Sequence, residues 1–220
     1  MTTRLLLIRH GATTLSAEDR FAGSTDVELS NEGREQAQSL SERLSTETLD
    51  AIYSSQMGRA RETARIVAGK KHPQPIVKPE LREIDHGRWE GLTRKEVETS
   101  FKDEYLSWEE DPFTFAPMNG ESGLGVLARA LPVIREILTL HQGKTVAVVS
   151  HKATLRLVLC SLLGIDARGY RDHLDQSPAC LNVVDFKDVT RARLMLFNDI
   201  SHYADWPRRN SKNLSKWWDP

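Results

Sequence analysis

Cysteines, long hydrophobic runs and an excess of charge of either sign are all scarce in this 220-residue sequence. The two cysteines, Cys160 and Cys180, stand in apolar surroundings outside any paired motif, which favours reduced core residues over a disulfide. No apolar run reaches membrane-spanning length, and the run near the N-terminus is too short for a signal peptide. We therefore expect a cytoplasmic protein with no membrane partner.

The charges nearly cancel, because 30 Lys and Arg residues face 31 Asp and Glu residues. This balance gives no support to a broad nucleic-acid surface, so any site for an anion must be local. The sequence also lacks a His-x-x-x-His pair, a cysteine pair and an aspartate cluster, which argues against a metal site. We expect no metal and no cofactor.

Short apolar runs alternate with amphipathic segments along the chain, which predicts an α/β fold. The predicted strands are residues 4–8, 50–53, 76–78 and 144–150 and the runs "CLNVVDF" and "ARLMLFN". The predicted helices are residues 31–44, 58–68, 122–141 and 151–163. We expect a three-layer α/β/α sandwich with a mostly parallel central sheet.

The domain organisation follows from where this pattern weakens. We expect one domain over residues 1–203, with an irregular insertion or cap at about 84–121, and a polar tail at 204–220. The tail carries Trp217 and Trp218, which we expect to pack on the domain or on a neighbouring subunit. A homodimer is therefore one of the possibilities that the sequence leaves open.

Two predicted core strands end in the same unusual way. "LLLI" runs directly into Arg9, His10 and Gly11, and "VVS" runs into His151. Ligands of such sheets bind beyond the carboxyl ends of the strands. If the two strands are parallel neighbours, both imidazoles should meet at one edge of the sheet.

Further motifs give these strand ends a chemical context. "SSQMGRARETA" places Arg59 at a helix start, where backbone N–H groups favour an anion, and "LREIDHGRWEGL" places Glu83 before a Gly-Arg-Trp-Glu-Gly turn. Five motifs resemble those of the histidine phosphatase superfamily, also called phosphoglycerate-mutase-like, and occur in that family's order. They are the Arg9-His10-Gly11 trio, "GSTDVELSNEG", the helix start with Arg59, Glu83 before its turn, and the Ser-His pair after a strand. The resemblance covers about residues 4–186 and points to the small-molecule phosphatase branch.

The resemblance implies a role for each matching residue. His10 would be the nucleophile that forms a phosphohistidine, Arg9, Arg59 and His151 would bind the phosphate, and Glu83 would be the general acid and base. Such a Glu needs a raised pKa to hold its proton near neutral pH, and burial near the Trp-containing turn could raise that pKa. The expected substrate-binding residues are Arg9, Gly11, Thr13, Ser16, Ala22, Gly23, Arg59, Glu83, His151 and Lys152.

The chain departs from the family pattern at two places. Leu15 and Ser16 stand where many members have an aromatic residue and Asn, and Lys152 follows the Ser-His pair where glycine is usual. A lysine at a helix start opposes the helix dipole, so it either binds a second anion of the substrate or is a surface lysine. His86 could be a second acid, but we favour a supporting or surface role.

The activity has two alternatives. A cofactor-dependent phosphoglycerate mutase shares the core motifs, but its branch typically carries a longer chain and a further His-Tyr motif, which we do not find. A non-catalytic phosphate-binding or interaction protein would have less use for all five core residues. We therefore expect a metal-independent phosphatase for a small phosphorylated metabolite.

Overall fold

The computed structural model describes residues 2–15 and 20–205. The strands are β1 (Thr3–Arg9), β2 (Ala51–Ser54), β3 (Ile76–Val77), β4 (Thr145–Ser150), β5 (Leu181–Phe186) and β6 (Ala192–Asp199). The helices are α1 (Asn31–Leu44), α2 (Gly58–Ala68), α3 (Arg94–Ser100), α4 (Lys102–Glu110), α5 (Gly123–Leu140), α6 (Lys152–Leu163) and α7 (Tyr170–His173).

The strands form one sheet in the order β3-β2-β4-β1-β5-β6. The pairs β3–β2, β2–β4 and β4–β1 are parallel, whereas β1–β5 and β5–β6 are antiparallel. The predicted α/β class is confirmed, and the antiparallel edge makes the sheet mixed. β1 and β4, the two strands that end in a histidine, are parallel neighbours in the middle of the sheet, so the condition for their histidines to meet is fulfilled.

The sheet separates two apolar cores because its central strands are buried on both faces. Leu5 and Leu7 of β1 pack with α5 and α6, whereas Leu6 and Ile8 pack with α1 and α2. Alternate side chains of a strand point to opposite faces, so a continuous apolar run is what a middle strand requires. The three predicted layers follow from this arrangement.

The segment between β3 and α5 has a small core of its own. Phe21, Trp89, Val97, Tyr105 and Trp108 form a separate buried cluster over the carboxyl end of the sheet. α3 begins with a capping box, in which the Thr93 side chain accepts the backbone N–H of Glu96 and the Glu96 side chain accepts the backbone N–H of Thr93. The exact extent of the cap, predicted at about 84–121, stays a prediction, as do the domain at 1–203 and the tail at 204–220.

Cys160 and Cys180 are buried and unpaired, as expected of core residues. Within the described residues, no helix is long and apolar enough to cross a membrane. Ser16 and the tail residues Trp217 and Trp218 lie outside the described part of the chain, so the expectations placed on them stay predictions.

Candidate active site

The two strand-end histidines meet at the carboxyl edge of the sheet. Arg9 of β1 lies opposite Ser150 of β4, so the next residues, His10 and His151, come side by side. The backbone N–H of His10 donates to the Ser150 carbonyl at 3.0 Å. The centroids of the two imidazole rings are 5.0 Å apart in an edge-to-face arrangement. The predicted meeting of the two rings is therefore confirmed.

The hydrogen bonds of His10 define which nitrogen can react. Nδ1 lies 2.7 Å from the Gly11 carbonyl oxygen, which can only accept, so Nδ1 carries the proton. Burial lowers the pKa of His10 well below its usual value, and the Arg59 and Arg9 guanidiniums lower it further. A neutral ring with its proton on Nδ1 keeps a lone pair on Nε2, which is what a nucleophile needs.

His151 is fully buried behind His10 and is oriented by a serine. Its Nε2 lies 2.7 Å from the Ser55 hydroxyl, which already accepts the Met57 N–H. The hydroxyl hydrogen can then point to Nε2, which leaves the proton of a neutral His151 on Nδ1. Burial lowers the pKa of His151 well below its usual value, and the neighbouring His10 and Arg59 lower it further.

Two arginines, the half-buried Arg9 and the buried Arg59, lie near His10 and are held by neutral acceptors. Arg9 donates to the Gln176 carbonyl at 2.6 Å, and its buried Nε has no partner among the described residues. Arg59 donates to the carbonyls of Gly23 and Thr25, both at 2.8 Å. Because these partners carry no charge, both guanidiniums remain available to an anion.

The loop that holds Arg59 is itself fixed by one carboxylate. Glu90 accepts hydrogen bonds from the backbone N–H groups of Gly23, Ser24 and Thr25 at 2.9 to 3.2 Å and from the Thr25 hydroxyl at 2.7 Å. Burial alone would raise the pKa of Glu90, but these bonds and one from the His86 N–H bring it below the usual value. Glu90 therefore positions Arg59 through the loop.

Glu83 lies at the N-terminus of α6. Its carboxylate accepts from the backbone N–H groups of Ala153 and Thr154, both at 3.1 Å, and from its neighbour Ile84 at 2.9 Å. These donors fix the carboxyl group at the wall of the cavity that His10 also lines. The carboxyl group of Glu83 and the ring of His10 therefore face the same cavity.

The glycines of the site make close backbone approaches. A Cβ on Gly11 would lie 2.3 Å from the Gly33 carbonyl oxygen at the start of α1, and one on Gly23 would lie 1.8 Å from the Ile84 oxygen. Gly11 was expected to make room for the substrate. That expectation stays a prediction, and the structure shows that Gly11 lets the loop after β1 pack on α1.

The site opens into a cavity of about 220 Å³. Phe21, Trp108 and Tyr170 form an aromatic part of its wall. The expected nucleophile His10 lines it, together with these expected substrate-binding residues: Arg9, Thr13, Ala22, Arg59, Glu83 and Lys152. Gly11, Gly23 and the buried His151 lie behind the lining, and Ser16 lies outside the described residues.

The residues of the described part offer no cluster of three or more His, Cys, Asp or Glu side chains that could hold a metal ion. The charge around His10 comes from arginines instead, and a cationic pocket of this kind is suited to an anion.

A model of the histidine phosphatase superfamily, branch 1, matches residues 5–200. The chain belongs to this family.

Relatives within the histidine phosphatase superfamily have named activities. Phosphoserine phosphatase 1 of Hydrogenobacter thermophilus is 36% identical over 74% of this chain and 77% of its own length. Glucosyl-3-phosphoglycerate phosphatase of Mycolicibacterium vanbaalenii is 34% identical over 74% of this chain and 75% of its own. The solved structure of Bacillus stearothermophilus YhfR has a TM-score of 0.84 at 32% identity, over 91% of this chain and 98% of that chain.

Several residues of this histidine phosphatase site were not found by sequence reasoning. Ser55 and Glu90 stand inside motifs named above, but the sequence assigned them no role, because their partners lie far away in the chain. Arg156 stands in no motif. His86 was expected in a supporting or surface role, but it lines the cavity and packs edge-on against Phe21 at 4.8 Å. A supporting role is compatible with this position, and the choice between that role and a second acid stays a prediction.

The two buried imidazoles predict how stability depends on pH. A histidine whose pKa falls on folding binds fewer protons in the folded state, so stability is lost as pH falls below the unfolded value of about 6.5. Each such group contributes at most about 1.4 kcal/mol per pH unit. Urea unfolding at pH about 7.5 and about 5.5 should show a smaller loss for His10→Asn than for the unsubstituted protein. Equal losses would contradict the burial of a neutral His10.

A second prediction concerns the hydrogen bonds by which Glu90 holds the loop of Gly23, Ser24 and Thr25. Glu90→Ala leaves several loop N–H groups without an acceptor, so we expect about 2–4 kcal/mol of lost stability together with weaker phosphate binding through Arg59. Glu90→Gln keeps an acceptor oxygen and should lose less of both. Urea unfolding and the KM for a phosphate ester measure the two effects, with Glu110→Ala on the exposed end of α4 as the control. Unchanged kinetics in Glu90→Ala would remove the link to Arg59.

Proposed function

We propose that this protein hydrolyses phosphate monoesters of small metabolites through a phosphohistidine on His10. The observation that carries the proposal is His10 itself, whose Nδ1–H is held by the Gly11 carbonyl between two arginines that form no ion pair with a carboxylate of the described residues. The negative oxygens of a phosphate ester repel an attacking nucleophile. The reaction therefore needs a nucleophile inside a cationic pocket, which offsets that charge. Relatives named as phosphatases of phosphoserine and of glucosyl-3-phosphoglycerate support this reaction class.

The geometry suggests a role for each group in two steps. Arg9 and Arg59 bind the phosphoryl oxygens while His10 Nε2 forms a bond to phosphorus and the bond from phosphorus to the leaving oxygen breaks. Glu83 gives its proton to that oxygen, so an alcohol leaves. In the second step Glu83 takes a proton from water, the water oxygen bonds to phosphorus, and the bond to His10 breaks to release phosphate.

The experiment that tests this function is a panel of phosphorylated metabolites assayed for released phosphate with the purified protein. The panel includes 3-phosphoglycerate with and without a bisphosphoglycerate primer, because the mutase alternative shares these catalytic groups. We expect phosphate release and little 2-phosphoglycerate. Isomerisation faster than phosphate release would favour the mutase, and binding without turnover of any ester would favour a non-catalytic phosphate-binding protein.

The same proposal includes the location and the partners expected from the sequence. A small phosphorylated metabolite fits a cavity of about 220 Å³ with both cationic and aromatic walls. A cytoplasmic location, the lack of nucleic-acid and membrane partners and a homodimer remain parts of the proposal that fractionation and light scattering would test.

The third prediction concerns metals and inhibitors. Arginines supply the charge that a metal ion supplies in other phosphatases, so exhaustive chelation should leave activity unchanged. Vanadate should inhibit competitively, because it can adopt the five-coordinate geometry of the transferring phosphorus. Phosphate release measured with and without chelator checks the first part. Activity that disappears with chelator and returns with magnesium would contradict it.

A further inference from the structure

The cavity wall carries more cationic side chains than one phosphate group requires. Two of the arginines, at the cap side, are balanced by carboxylates of the chain itself. Arg20 pairs with Glu96 at 3.4 Å, and Arg171 pairs with Glu109 at 2.9 Å and with Asp172 at 3.1 Å. Their charges are therefore largely satisfied within the protein.

Lys152 and Arg156 differ from those two arginines. They lie one turn apart on α6, both line the cavity, and both pair with the same oxygen, Oδ1 of Asp175. The distances to that oxygen are 3.5 Å from Lys152 Nζ and 3.0 Å from Arg156 Nη2. Two cations thus share one carboxylate.

The burial of Arg156 makes this imbalance costly. Its side chain is 8% exposed, and its Nε is buried without a hydrogen-bond partner among the described residues. Burial lowers the pKa of Lys152 to about 8, and repulsion from Arg156 and Arg9 contributes to the shift. A buried cation that lacks a full set of acceptors is destabilising, so a further anion at this place would relieve the cost.

We infer that Lys152 and Arg156 form a second anion subsite, which binds a carboxylate on the leaving-group side of the substrate. The inference rests on the proposed function, because it takes the phosphate to occupy the pocket of Arg9 and Arg59. Asp175 already offers a carboxylate to both cations, so its contacts are the pattern that a substrate carboxylate would reproduce.

The subsite gives the lysine that departs from the family pattern a defined purpose. At the first position of α6 its ammonium opposes the helix dipole, and Asp175 supplies only part of the compensating charge. A substrate carboxylate would complete the compensation. The substrate class is then a phosphate monoester whose leaving group carries a carboxylate, and the enzyme should discriminate against the same ester without it.

The test uses phosphonates, which bind without turnover. Calorimetry compares phosphonoacetate, 3-phosphonopropionate and 4-phosphonobutyrate with ethyl-, propyl- and butylphosphonate, so that each pair differs in the terminal carboxylate. We expect at least one carboxylate to bind about ten- to a hundredfold more tightly than its partner, as hydrogen bonds between charged groups imply. Propane-1,3-bisphosphonate tests whether a distal phosphate is preferred to the carboxylate.

Variants assign the preference to these residues. Arg156→Gln and Lys152→Met should each reduce the ratio of the two affinities about tenfold, whereas Arg191→Gln, an exposed ion-paired arginine on the β5–β6 turn, should leave the ratio unchanged. Arg156→Lys, which keeps the charge but loses the planar fork, guards against misfolding of the buried variant.

The inference is overturned if no carboxylate binds better than its alkyl partner, if the bisphosphonate is the tighter ligand, or if the preference survives in Arg156→Gln and Lys152→Met. The failure of the proposed function has a different signature. In that case the unsubstituted protein hydrolyses no ester, para-nitrophenyl phosphate included, while the calorimetric comparison still reports on the subsite.

Discussion

His10→Ala is expected to reduce phosphate release by a factor of at least about 10⁴, because removing a catalytic nucleophile abolishes the covalent route. The measurement is steady-state hydrolysis of para-nitrophenyl phosphate. Binding of a phosphonate to His10→Ala should persist, since Arg9 and Arg59 remain in place. His173→Ala, which removes an exposed histidine of α7, is the matched control and should keep full activity.

If His10→Ala kept more than a few per cent of the activity, water or another side chain would have to attack the phosphorus directly. The proposed two-step mechanism would then be wrong even if the protein is a phosphatase. A folded His10→Ala protein, checked by its urea unfolding curve, is needed for either conclusion.

Glu83→Gln is expected to separate the two chemical steps. An alkyl phosphate needs a proton on its leaving oxygen, so its turnover should fall about 10²–10⁴-fold, as for other general acids. Nitrophenolate leaves without a proton, so para-nitrophenyl phosphate should still phosphorylate His10. The second step lacks its base, and rapid mixing should therefore show a burst of nitrophenol equal to the enzyme concentration, followed by slow turnover.

Equal losses on the alkyl and nitrophenyl esters, with no burst, would contradict the role of Glu83 as acid and base. Such a result would leave Glu83 as a group that positions the first turn of α6, since its carboxylate accepts the Ala153 and Thr154 N–H groups. Thr99→Ala, an exposed substitution on α3, serves as the surface control for both substrates.

Much of the fold was predictable because its signals are local. The amphipathic pattern gave α1 and α2 with the bounds that the structure shows, and α5 is one residue shorter at each end than predicted. The apolar run before Arg9 predicted a strand buried on both faces, and β1 is such a strand. The meeting of His10 and His151 followed from one rule about parallel strands.

The supporting contacts were not predictable, because they join residues far apart in the chain. The Ser55 hydroxyl reaches His151 across 96 positions, and the Ala153 N–H reaches Glu83 across 70. Asp175, which pairs with both Lys152 and Arg156, lies in a segment without a motif. Sequence periodicity carries no information on such pairs, whereas the candidate residues His10, Arg59 and His151 stand at strand and helix ends that a pattern can mark.

The most direct test of the central claim is chemical trapping of the phosphoenzyme. Glu83→Gln is mixed with ³²P-labelled para-nitrophenyl phosphate, quenched in alkali, digested and mapped by mass spectrometry. We expect the label on the peptide that contains His10, in an amount approaching one phosphate per chain. The label should be stable in alkali and lost in acid. Label on a serine or threonine, or an unlabelled protein that still turns over its substrate, would contradict it.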